Sequence, residues 1–245
     1  MTQHSYAHPP ITEAVIEICF DKPLESAQLE KISSKFSSNY PDQQIVTNLE
    51  VAVGTDTNEQ GALRVKQANG YRRSSSDMTQ LMVLWESKFI ISQLAPYPGW
   101  AAFFTRFDRD WKKWKKVAGH RKITRIGVRY INRIDIPSPE AFAEHEEYLN
   151  IYPRIPNNIG LLNEYAVQAQ FTIAEIKSKL TLNSAVVESP LLGYISIVVD
   201  QDIARDTATP QSDEEIYKLL NDIRAKKNSV FEDCITNRSR ELFQR

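Results

Sequence analysis

Glycine is scarce in this chain, with 8 in 245 residues, alongside 12 prolines and 2 cysteines. The sequence holds no G-x-G-x-x-G and no G-x-x-x-x-G-K-[ST], which excludes nucleotide binding by either of those phosphate cradles. So little glycine and proline also argues against a loop-rich or low-complexity chain. Cys19 and Cys234 lie far apart in apolar-patterned segments and offer no metal-type spacing. Two reduced core thiols are expected rather than a disulfide. The 4 histidines, His4, His8, His120 and His145, form no H-E-x-x-H or similar motif, so neither a metal nor a cofactor is expected. No G-x-S-x-G occurs, and Cys19 on a buried-looking strand makes a poor nucleophile. Carboxylates such as Glu13, Glu17, Asp135 and Asp200 fall on or beside expected strands, but with 31 acidic residues that is expected by chance. Catalysis is therefore not the favoured reading.

No apolar run reaches the roughly 18–20 residues of a membrane span. Residues 1–15 also lack the basic and apolar pattern of a secretion signal. A cytoplasmic protein without membrane partners is expected. A net charge of −1 removes any global electrostatic case for nucleic acid.

What is present is patterned. After Pro9-Pro10, "ITEAVIEICF" alternates, with Ala14, Ile16, Ile18 and Phe20 on one face. Leu29, Ile32, Phe36 and Tyr40 then recur at helical intervals until Pro41. Strands are expected at 44–54, 62–69 and 80–94, separated by the turn formers "GTDTNEQG" and "NGYRRSSSD". From Trp100 an aromatic stripe, Phe103, Phe104, Phe107, Trp111 and Trp114, marks one face of a helix stopping near Gly119. A strand over 122–136 follows. A short helix or linker is read over "PSPEAFAEHEEY". Further strands are read at 165–182, 184–187 and 194–203. Ser212 with Glu215 then opens a second long helix, with the stripe Ile216, Leu219, Leu220, Ile223, Val230, Phe231 and Cys234. Grouped strands running into a helix indicate α+β with antiparallel sheets and two long amphipathic helices. The chain reads as a single domain over 1–245, or as two similar strands-then-helix halves, 1–137 and 138–245.

The segment "RIGVRYINRIDIP" (125–137) carries the most ordered polar chemistry. Alternation places Arg125, Arg129 and Arg133 on one face, about 13 Å apart in succession, too far to grip one phosphate together. That spacing suits cross-strand or interface ion pairs. Tyr130 and Asn132 fall on the opposite, core face, where an unpaired amide would cost on the order of 1–3 kcal/mol. They would either find local partners or line a polar pocket. Arg72 and Arg73, amid serines in an expected turn, are a further candidate anion site, although a solvated hairpin connection is the favoured reading. In "RDWKKWKK" the lysines and Trp111 and Trp114 could bind single-stranded nucleic acid. A helix with a buried aromatic face and solvated lysines is favoured.

Four segments in this order, "PPITEAVIEICF", "PYPGW", "RIGVRYINRIDIP" and "FEDCITNRSRELF", resemble a sporadically distributed prokaryotic family of conserved hypothetical proteins. The resemblance spans essentially the whole chain. It implies a prokaryotic cytoplasmic protein of one architecture and carries over no catalytic residue, cofactor or substrate. Patchy distribution of a family accompanies horizontally transferred functions such as defence or toxin–antitoxin systems. The leading expectation is thus a non-catalytic binding or protein-interaction module, an accessory or antitoxin-like partner, acting with a protein partner or as a homodimer. The alternatives are an enzyme or small-ligand domain with a pocket around Tyr130 and Asn132, and single-stranded nucleic-acid binding.

Overall fold

The computed structural model describes residues 6–53, 63–138 and 144–244. His4, the turn expected at 54–61 and residues 139–143 of the expected short helix or linker lie outside the described residues. The fold is α+β, with antiparallel strand pairing. The chain forms two compact units that cut it differently from a division at residue 137. One comprises Glu17–Gln93 and Pro98–Thr124, the other Met1–Ile16, Leu94–Tyr97 and Arg125–Arg245. Strand β1 (Ile11–Phe20) runs from one into the other.

In the unit built from Glu17–Gln93 and Pro98–Thr124, helix α1 (Ser26–Lys35) precedes β2 (Asp42–Val53), β3 (Leu63–Ser74), β4 (Gln80–Trp85) and β5 (Lys88–Leu94). The strand order is β2-β3-β4-β5-β1. Two expectations are corrected here. The segment 80–94 is a tight hairpin, because Trp85 pairs with Lys88 and the chain reverses at Glu86-Ser87. "NGYRRS" is not a turn: it is the end of β3, fully in register with β2, and the reversal comes at Ser75–Thr79. Helix α2 (Trp100–Ala118) buries Phe103, Phe107, Trp111 and Trp114. Phe20 stacks on Trp114 at 4.4 Å between centroids, and Phe89 lies 5.8 Å from both tryptophans. Gly119, at φ +73°, ends the helix where a side chain would be strained.

In the other unit the order is β1-β6-β9-β8-β7. It comprises β6 (Ile123–Pro137), β7 (Ala166–Ile173), β8 (Ser178–Val187) and β9 (Tyr194–Arg205), with helices α3 (His145–Tyr148), α4 (Asp213–Cys234) and α5 (Asn237–Leu242). The strand expected at 165–182 is broken at Ala174–Ile176, a single 3-10 turn with Lys177 in the left-handed region. Asn183, left between the strands expected at 165–182 and 184–187, lies within β8, paired to Gln168 and Asp200. Alternation on β6 is regular. Ile126, Val128, Tyr130, Asn132, Ile134 and Ile136 are buried, and the opposite face is wet except at Ile123 and Gly127. Ser212 caps α4, its Oγ accepting from the Glu215 N–H at 3.3 Å and donating to the Glu215 carboxylate at 2.9 Å. Cys19 and Cys234 are not joined in a disulfide. No helix among the described residues is long and apolar enough to cross a membrane.

Candidate functional site

The three arginines of β6 lean the same way along the strand, each onto an aspartate. Arg125 reaches Asp202 at 2.8 Å, although Asp202 stands opposite Arg129 in the register. The detour is possible because Gly127 lies between. A Cβ there would come within 2.7 Å of the Arg125 guanidinium. Arg129 makes a two-pronged contact with Asp200, at 2.8 and 2.7 Å, and Asn183 adds a third donor at 3.0 Å. Asp200 is 7% exposed at its side chain and Arg129 49%. Arg133 grips Asp135 on its own strand at 2.8 and 3.1 Å, and Ser196 donates to the same carboxylate at 2.6 Å. Each guanidinium thus already faces a carboxylate, and the row as a whole has little attraction left for an external anion.

On the core face, Asn132 is buried and its Nδ2 donates to the Val199 carbonyl at 3.1 Å. The Tyr130 hydroxyl lies 2.9 Å from the Tyr97 hydroxyl, and burial drives the Tyr130 pKa well up. Above the Tyr130 ring, 3.7 Å from its centroid, sits the ammonium of Lys227. Beside Tyr130 in the register is Gln201, fully buried, with neither end of its amide hydrogen-bonded among the described residues. Sequence reading missed Lys227. The signal was there, since it falls four residues after Ile223 and four before Phe231, in the gap of the apolar stripe of α4. Burial, followed by the nearby charge of Arg224, lowers its pKa to about 7.

Arg72 and Arg73 part company. Arg72 reaches Gln44 on the neighbouring strand. Arg73 is buried: its Nε donates to Ser33 at 2.8 Å, one terminal nitrogen to the Tyr40 carbonyl at 2.9 Å and the other to Gln43. As a corrected candidate, Arg73 is a tie between β3, α1 and the start of β2. Trp111 and Trp114 are buried and stacked on each other and on Phe20, so they present no open face to a base.

A cleft of about 560 Å³ runs beside the first turns of α2. Its polar lining is Gln80, Gln93, Thr105, Arg106 and Arg109. Arg106 is held from behind, with its terminal nitrogens donating to the Tyr40 hydroxyl at 3.0 Å and the Ser92 carbonyl at 2.8 Å. Buried Asp110 accepts from the Tyr40 hydroxyl at 2.5 Å and from Arg109 at 2.8 and 3.0 Å. Arg106 and Asp110 share the buried side of α2 with Phe103, Phe107 and Trp114, and an aromatic-only reading of that stripe passes over them. No group of metal-ligating side chains occurs among the described residues.

Apolar side chains are exposed at one end of the β7–β8–β9 array. Leu192 is fully exposed, with Val187, Leu191 and Tyr194 around the β8–β9 turn and Ile159 and Leu161 in the segment leading to β7. Strand β7, last in its sheet order, is exposed along the face of Ala166, Gln168, Gln170 and Thr172; on the other face Val167 and Ala169 are half-buried, Phe171 is exposed and Ile173 is buried. Its eight residues, AVQAQFTI, include no charge and no proline. Compared with known protein families and curated proteins, the chain matches no family model and no curated protein.

Proposed function

We propose that this chain is a non-catalytic protein-interaction module that acts as a homodimer, joined by antiparallel pairing of its β7 edges. The observation that carries this reading is the makeup of β7. Edge strands are ordinarily blunted by charge, proline or a bulge, because their free N–H and C=O groups template pairing with another chain. None of those residues is present over Ala166–Ile173. A second copy is the partner that suits such a strand. Two-fold antiparallel pairing sets a strand beside a copy of itself, so a charge near its middle would lie close to its like, and β7 brings none. The exposed leucines at the β8–β9 turn extend the surface past the Ala166 end of the edge, since Ala166 pairs with Ala185 two residues before Val187.

The wider role we infer is that of a cytoplasmic accessory or antitoxin-like partner in a transferred defence module, a reading that rests on the family resemblance. We also read the runs β2–β5 into α2 and β7–β9 into α4 as one plan used twice. Charge exchange tests the pairing. Gln170→Lys alone and Gln170→Glu alone are each expected to sediment as monomers, and their mixture as a heterodimer. Dimers that persist unchanged in both single variants would place the interface elsewhere.

A further inference from the structure

The cleft beside α2 belongs to neither the sheet edge nor the arginine row, and its chemistry is one-sided. Of its five polar lining side chains two are cationic and none is anionic. Arg106 is 6% exposed, and its guanidinium is fixed by Tyr40 and the Ser92 carbonyl through the terminal nitrogens, so none of those bonds uses Nε. Arg109 gives Nε and one terminal nitrogen to Asp110, leaving its second terminal nitrogen uncommitted. The carboxylate of this network, Asp110, lies behind the lining and accepts from three donors. Two guanidiniums held over one buried aspartate leave the cleft with net positive charge. The positive charge of the two guanidiniums, with the N–H groups their hydrogen bonds leave over, suits a planar or tetrahedral oxyanion.

The remaining walls limit what the anion can be attached to. Pro98, Ala101 and Ala102 are small and leave the volume open, and among the described residues no aromatic ring lines the space for a base to stack on. Gln80, Gln93 and Thr105 supply amide and hydroxyl groups suited to hydroxyls. The volume lies within the usual range for small-ligand sites, about 300–1,000 Å³. We infer that this cleft binds a small, non-aromatic, hydroxylated oxyanion, with Arg106 and Arg109 holding the anionic group and the glutamines and Thr105 the hydroxylated body. Sugar phosphates and hydroxy-carboxylic acids share that chemistry.

Calorimetric titration of the full chain with glycerol 3-phosphate, citrate and inorganic phosphate separates these sources. At least one of the first two is expected to bind tenfold or more tightly than inorganic phosphate. Arg109→Gln is expected to weaken that binding tenfold or more. Ala101→Trp, at an exposed helix position that leaves the buried network alone, is expected to abolish it while the melting temperature is kept. Heat from none of the three at millimolar concentration, or binding that survives both substitutions, would overturn the inference. So would inorganic phosphate binding as tightly as the larger anions.

Discussion

Two buried charges divide the residue scale between them. Asp200 is nearly inaccessible and depends on Arg129 for two of its three hydrogen bonds, whereas Arg125 and Asp202 are both about one-third exposed. Removing the partner of a buried carboxylate leaves a desolvated charge, while an exposed pair is worth only about 0.2–1 kcal/mol. Arg129→Ala is therefore expected to lower unfolding stability by roughly 2–3 kcal/mol, and Arg125→Ala by less than about 1 kcal/mol. Equal losses in urea titrations would show that burial does not rank the row. Lys227 is the opposite case, a cation placed in a core where, among the described residues, the Tyr130 ring and Glu232 favour its charge. Its pKa falls from 10.5 unfolded to about 7 folded. Between those values the unfolded chain binds more protons, so stability rises with pH across that window, and the full penalty applies below it. Lys227→Met is expected to stabilise the protein by roughly 1–3 kcal/mol near pH 6, with the gain shrinking towards pH 10. A gain that stays constant from pH 6 to pH 10 would contradict a buried, titrating ammonium.

At the scale of elements, helix ends and strand faces were legible because they depend on local chemistry. The capping pair Ser212 and Glu215 opens α4 where expected, and Ser212→Ala is expected to cost about 1 kcal/mol by thermal denaturation. No change would mean that tertiary packing alone fixes the start of α4. The faces of β6 follow from period-two alternation, since the sheet buries one side. Elements whose limits are set by distant partners were not legible. Nothing near Arg72 and Arg73 announces that β3 continues through them; that follows from a full register with β2 and from the Ser33, Tyr40 and Gln43 acceptors. The hairpin inside 80–94 was hidden because Glu86-Ser87 contains no glycine or proline to announce the reversal. In the candidate cleft, no local signal marks Arg106 and Asp110 as buried. Their burial depends on Tyr40 and Ser92, which lie far away in sequence.

At the scale of the whole molecule, the proposed function is association. An eight-residue uncharged edge and a cluster of exposed leucines are features that a chain acting alone would be expected to blunt. Neither the arginine row nor Asn132 competes with them as a surface for a partner, because their polar groups find partners within the chain. The most direct measurement is sedimentation velocity of the purified chain across a hundredfold range of concentration. A single species near twice the 28.1 kDa chain mass, reduced to one chain mass by Gln170→Lys, is the expected result. A 28.1 kDa species at every concentration would contradict the central claim.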